Sequence, residues 1–142
     1  MLQRRYLLTG ALLAAAQPVA AFGQAQNTKT MAGMAMSMND CIEHCLDSHR
    51  LCLETSTYAV KRGGALETAE MIAMLNDCAE LCQATANSML RESPLHQVLC
   101  RACAEACERC AQACSAHGSD AQMARCAQAC RTCAEGCRQM SR

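Results

Sequence analysis

The sequence predicts an all-α fold: an up-down-up-down antiparallel four-helix bundle with a cysteine-lined core. Three observations carry this. Fourteen cysteines occur in 142 residues, and most follow one another at steps of three or four. That step returns to the same face of a helix, turn after turn. Four such stretches are separated by short Gly, Ser and Pro signals, and connections that short join antiparallel neighbours. Strand-like alternation occurs nowhere.

Met1 to about Ala25 reads as an export signal. Arg4 and Arg5 precede an apolar stretch from Tyr6 to Phe22, which Gln17 and Pro18 interrupt. It is too short and too broken for a membrane span. The paired arginines before Tyr-Leu-Leu resemble a twin-arginine (Tat) signal, although Gln3 stands where Ser or Thr is usual; the alternative is an ordinary Sec signal. Cleavage after Ala21 or Ala25 fits the small-residue rule. Residues 26–38 read as a flexible linker, rich in methionine at Met31, Met34, Met36 and Met38. Residues 39–142 form the bundle.

The first helix is expected from Ser37–Asp40, where capping residues cluster, to Lys61-Arg62-Gly63-Gly64. The second should run from about Ala65 to Arg91, with Glu67 and Glu70 in its first turn. Ser93-Pro94 is a start signal for the third, with Ser as N-cap and Pro first in the helix. His117-Gly118 ends it. Ser119 or Asp120 caps the fourth, which runs to about Gln139.

The core cannot rest on ordinary apolar burial. Tyr6, Phe22 and Tyr58 are the only aromatics, and no large aliphatic lies between Arg101 and Gln122. Disulfides or metal must supply what apolar area does not. The signal takes two of thirteen basic residues and no acidic one, which leaves eleven against thirteen. Nucleic acid would need a basic patch, and none is evident.

The cysteines are Cys41, Cys45 and Cys52 on the first helix and Cys78 and Cys82 on the second. Cys100, Cys103, Cys107, Cys110 and Cys114 follow on the third, then Cys126, Cys130, Cys133 and Cys137 on the fourth. Soft thiolates select Cu(I), zinc or iron–sulfur clusters. The flanking residues favour copper, because thioether is a soft ligand. Met71 and Met74 extend the second stripe, Met123 precedes Cys126, and His117 follows Cys114. Up-down topology brings these four to one end, which reads as a mouth for ions. Met38, His96 and Met140 flank the stripes at the opposite end. His44 and His49 read as rim histidines.

On these stripes, from about Asn39 to Met140, the chain resembles the copper storage protein (Csp) family, and its exported, Tat-signal branch in particular. The resemblance implies a four-helix bundle whose inward thiolates hold many Cu(I) ions, with Met and His near an open end. It also implies a periplasmic location, copper ions as partners and assembly into oligomers, tetramers among them. A copper chaperone or a recipient copper enzyme would exchange the metal. Leu46, Leu53, Leu66, Ile72, Leu75, Leu81 and Leu90 lie off the thiol face on the first two helices and would suit a bundle–bundle interface. No nucleic acid, and no membrane once the signal is removed, is expected as a partner.

Three other readings stand beside this. A disulfide-stapled exported module fits the cysteine content, but bridging at every layer demands closer helices than usual. An iron–sulfur carrier would hold its ligands on loops, and these lie on helices. A zinc-binding thiol protein remains open. No residue pairs a nucleophile with a base, so no enzyme is read.

Overall fold

The computed structural model describes residues 35–142. The expected signal, its cleavage sites, Met31 and Met34 lie outside the described residues. Within them the chain forms four helices and no strand: α1 Met38–Arg62, α2 Ala69–Leu90, α3 His96–Ser115 and α4 Ala121–Met140.

Each terminus has a local cause. Ser37 caps α1: its hydroxyl accepts from the Asp40 amide at 3.1 Å, and the Asp40 carboxylate accepts from the Ser37 amide at 3.3 Å. This reciprocal pair satisfies two amides that the first turn leaves without partners. Gly63 and Gly64 end the helix at φ of 70° and 64°, a region that only glycine enters freely. A short 3-10 turn, Gly64–Leu66, then carries the chain to Thr68.

Here the structure departs from expectation. The second helix begins at Ala69, not Ala65, because the Thr68 hydroxyl accepts from the Met71 amide and so caps it. Glu67 lies before the helix, and Glu70 alone stands in its first turn. At the other end, Glu92 adopts φ of 52° where glycine is usual. The Ser93 amide reaches back to the Ser88 carbonyl and the Glu92 amide to the Met89 carbonyl, which closes the last turn. The Ser93-Pro94 signal opens a turn rather than the helix itself. Ser93 accepts from the Leu95 amide through its hydroxyl and from the His96 amide through its carbonyl, and α3 starts two residues late. Asp120 caps α4 by accepting from the Gln122 and Met123 amides.

The helices pack as an antiparallel ring, α1 against α2, α2 against α3, α3 against α4 and α4 against α1. The core is mainly cysteine and alanine. On α3 every buried residue is Cys or Ala; on α4 only Met123 and Gly136 are added. Leu75 is fully buried. It closes the core near Met71 and is not available to an interface. Leu53 and Leu90 are exposed as expected, while Leu46 and Leu66 pack partly against the core.

Outside, polar pairs tie neighbouring helices. Arg138 on α4 pairs with Glu108 on α3. Tyr58 on α1 donates to Asp120 at 2.6 Å, and Gln122 donates to Thr55 at 2.9 Å. His49 Nδ1 donates to the Ala79 carbonyl across the α1–α2 seam at 2.9 Å, so it is a strut between helices. His96 Nδ1 likewise meets the Ser93 carbonyl at 2.8 Å.

Candidate metal centre

All fourteen cysteines are free and point inward. Twelve of their sulfurs, all but those of Cys100 and Cys114, form a ladder along the bundle axis. From Cys41 it passes to Cys137 at 4.0 Å, then Cys45 at 3.6 Å and Cys133 at 3.6 Å. Cys82 follows at 3.9 Å, Cys107 at 3.4 Å and Cys78 at 3.6 Å. Cys130 comes next at 4.0 Å, then Cys52 at 3.6 Å, which meets Cys126 at 3.8 Å and Cys110 at 3.9 Å. Cys103 bridges Cys82 and Cys133 from α3.

Three groups bring four sulfurs within 4.8 Å of one another: Cys45, Cys103, Cys133 and Cys137; Cys82, Cys103, Cys107 and Cys133; and Cys52, Cys110, Cys126 and Cys130. Metal–thiolate bonds of ~2.3 Å place two sulfurs on one ion at most ~4.6 Å apart. The spacings therefore suit ions held between pairs or triplets of thiolates. Cys103 and Cys133 each belong to two groups, as bridging ligands would.

So many thiols cannot all ionise in one dry tube, because each anion needs a donor and each neighbouring anion repels it. The ladder divides accordingly. Hydrogen bonds from Cys110 and Cys126 hold Cys52 down to about 6 and Cys114 down to about 4. Cys41, Cys82, Cys103 and Cys130 are also lowered. Cys45, Cys78, Cys100, Cys107, Cys110, Cys126, Cys133 and Cys137 are raised; most of these lend an S–H to a neighbouring sulfur and are themselves desolvated.

The expected mouth is only partly assembled. Met71, Met74 and His117 line one cavity of about 280 Å³ with Thr68, Glu70 and Ala113. Met123 does not join them there. It is fully buried in the core.

Sequence reading missed several residues that share the thiol face. Ser48 Oγ lies 3.4 Å from Cys130 Sγ and 4.0 Å from Cys107 Sγ. Thr55, Thr85 and Ser88 are also buried, and Ser88 Oγ has no partner among the described residues. Met89 is 1 % exposed, and its sulfur accepts from Cys100 at 3.9 Å. Met36 reaches over Gly136: a Cβ there would fall 2.6 Å from Met36 Sδ and 3.3 Å from Cys41 Sγ. Its amide donates to the Gln139 side chain at 2.9 Å. Thioethers thus stand at both ends of the ladder. The signal was available: Ser48 and Thr55 continue the three-four step of α1, and Thr85 and Met89 that of α2.

The family comparison decides what such a ladder belongs to. The profile of the copper storage protein family matches residues 31–142. The chain belongs to the copper storage protein family. Solved relatives agree with that membership. The protein Nmul_A1745 from Nitrosospira multiformis is 35 % identical, with a TM-score of 0.69 over 73 % of this chain and 94 % of its own. Copper storage protein BsCsp3, solved with Cu(I) bound, is 32 % identical, with a TM-score of 0.69 over 73 % and 97 %. A cytosolic copper storage protein from Streptomyces lividans, solved with five coppers, is 28 % identical, with a TM-score of 0.69 over 73 % and 91 %. No curated protein matches the chain in sequence. The copper storage fold in this member buries fourteen thiols and, at 1 % exposure or less, the hydroxyl residues Ser48, Thr55, Thr85 and Ser88.

Proposed function

We propose that the protein binds and stores Cu(I) at high capacity, as cargo held between cysteine thiolates in the bundle core. The observation that carries this is the sulfur ladder, whose consecutive steps from Cys41 to Cys126 are all 4.0 Å or less. If each ion takes two thiolates and each thiolate serves two ions, capacity is on the order of one ion per cysteine, ~14 at most. Bound relatives support copper over zinc: their structures hold Cu(I), and one from S. lividans is loaded with 10 copper equivalents. The role is storage, not catalysis, since no single thiol is set apart by a dedicated base.

The ligand set is all fourteen cysteines, with Met71, Met74, His117 and Met123 as softer or auxiliary ligands at one end. The cavity shared by Met71, Met74 and His117 supports that end as a mouth. A twin-arginine signal over residues 1–25, a linker over 26–38 and a periplasmic location complete the reading, supported by the Arg4-Arg5 pattern. No helix among the described residues is long and apolar enough to cross a membrane. Exposed Leu53, Val60 and Leu90 would suit a homo-oligomer, and light scattering that gives a clean monomer would sink that point. A copper chaperone or recipient enzyme would exchange the metal.

The deciding experiment is an anaerobic Cu(I) titration of the reduced protein against a chromophoric Cu(I) chelator. Tight binding of close to one ion per cysteine is expected. Saturation at one or two ions would refute storage and make the stripes structural. Met71→Ala with Met74→Ala should slow loading and leave final capacity intact.

A further inference from the structure

The ladder is sealed almost everywhere. Thirteen of the fourteen cysteines are at 0 % exposure, and Cys78 alone keeps accessible surface, at 1 %. Cys78 also lines a surface groove, a cleft of about 360 Å³ between α2 and α3. On its α3 side the groove is lined by the small side chains of Ala102 and Ala106 and by Glu105 and Arg109. Its rim carries Asp77 and Glu105, and Met74 lies on its wall. Glu105 holds Arg109 at 2.5 Å, a pair exposed to solvent.

We infer that this groove is a side port through which Cu(I) enters the ladder at Cys78, with Met74 as the transfer ligand. Arg109 neutralises Glu105, which leaves the Asp77 carboxylate at the rim to favour cations. A thioether then takes the soft ion, and the thiol at the base binds it more strongly. Met74 also lines the end cavity with Met71 and His117, so one side chain can receive ions from either opening. Cys78 stands at the middle of the ladder, 3.6 Å from Cys107 and 4.0 Å from Cys130, and an ion arriving there can move toward both ends. The exchange is redox-neutral: the carrier releases Cu(I), a Cu–S bond forms, and the Cys78 thiol gives its proton to water.

The inference rests on the storage reading, but its first test needs no copper. The reduced, metal-free full chain is pulsed with iodoacetamide under native conditions, and the labelled peptides are mapped by mass spectrometry. Cys78 should be alkylated ahead of every other cysteine. Earlier labelling of Cys41, Cys100 or Cys114 would overturn the port by showing that reagents reach the sulfurs through an end of the bundle and not through the groove. The second test fills the groove without touching a ligand. Ala106→Leu should slow Cu(I) uptake from a chelator complex severalfold and leave the final number of ions unchanged. Uptake as fast as in the unaltered chain would overturn the port. A loss of ions bound at saturation in the unaltered chain would instead strike the storage reading.

Discussion

Ser48 Oγ stands 3.4 Å from Cys130 Sγ, in the place where the α1 stripe would carry another thiol. It follows Cys45 by three and precedes Cys52 by four, and it is fully buried. The ladder therefore has a gap on α1 that a hydroxyl bridges with hydrogen bonds. Ser48→Cys is close to isosteric and should add a ligand, raising saturation by about one ion. Ser48→Ala should leave capacity unchanged and remove only the hydrogen bond. The chelator competition reads both, and equal capacity in all three proteins would show that the gap is not a ligand position.

Leu75 and Leu90 make a second contrast. Leu75 is fully buried, whereas Leu90 is 60 % exposed. Leu75→Ala should destabilise the metal-free protein by about 2–5 kcal/mol through lost burial and a cavity. Leu90→Ala should stay within about 0.5 kcal/mol in the monomer. Denaturant unfolding of the two variants provides the comparison.

Gly136 faces Met36 and Cys41 at one end of the ladder. Alanine there gains up to about 1 kcal/mol of helix propensity, but its Cβ would lie 2.6 Å from Met36 Sδ. The thioether is the end of a flexible chain and should swing away, so Gly136→Ala should fold and lose the Met36 contact. Gly136→Leu adds bulk toward Cys41, where a Cβ alone is already 3.3 Å from the sulfur, and should lower Tm clearly. Thermal unfolding separates the pair; a Gly136→Leu protein as stable as the parent would refute the close fit.

Acid should dismantle the site in order. Cys52 and Cys114 are held down to about 6 and about 4 by their neighbours' S–H groups. A lowered value means that the ionised thiol stabilises the fold. That contribution is fully present above the ordinary thiol value and is lost as pH falls through about 6 for Cys52 and about 4 for Cys114. Cys114→Ser should therefore flatten the metal-free stability curve between the ordinary thiol value and about pH 4. The raised thiols, Cys133 and Cys126 among them, hold their protons at neutral pH. Loading should release those protons, and pH-stat titration during copper addition measures them.

Copper should also raise Tm. Buried thiolates cost desolvation until an ion neutralises them, and an ion that binds only the folded state stabilises it by mass action. Calorimetry with and without Cu(I) gives the shift. No shift on saturation would mean that the ions sit outside the core.

The sequence made the thiol faces plain because cysteine recurs at helical spacing with little else that is apolar beside it. The Gly63-Gly64 stop was legible too, and the sequence narrows the α4 cap to Ser119 or Asp120, of which Asp120 accepts from two amides. Ser48, Thr55, Thr85 and Ser88 were not legible, since hydroxyls inside a helix are usually on the solvent side, and only the packed neighbours turn them inward. Leu75 lies outside the stripe that sulfur defines in the sequence. In the folded chain it plugs the part of the core where α1 and α2 carry no cysteine. Thr68 displaced the expected start of α2 because two consecutive glycines in the left-handed region redirected the chain before a helix could begin.

The buried faces of α3 and α4 consist of cysteine and alanine with a single Met and a single Gly. Such a face has little cohesion of its own when its sulfurs hold nothing. A full molecule and a drained one then differ in how often their helices part, and so in how readily a protease cuts them. Degradation would fall first on drained copies, and the population that survives would be enriched in those still carrying metal.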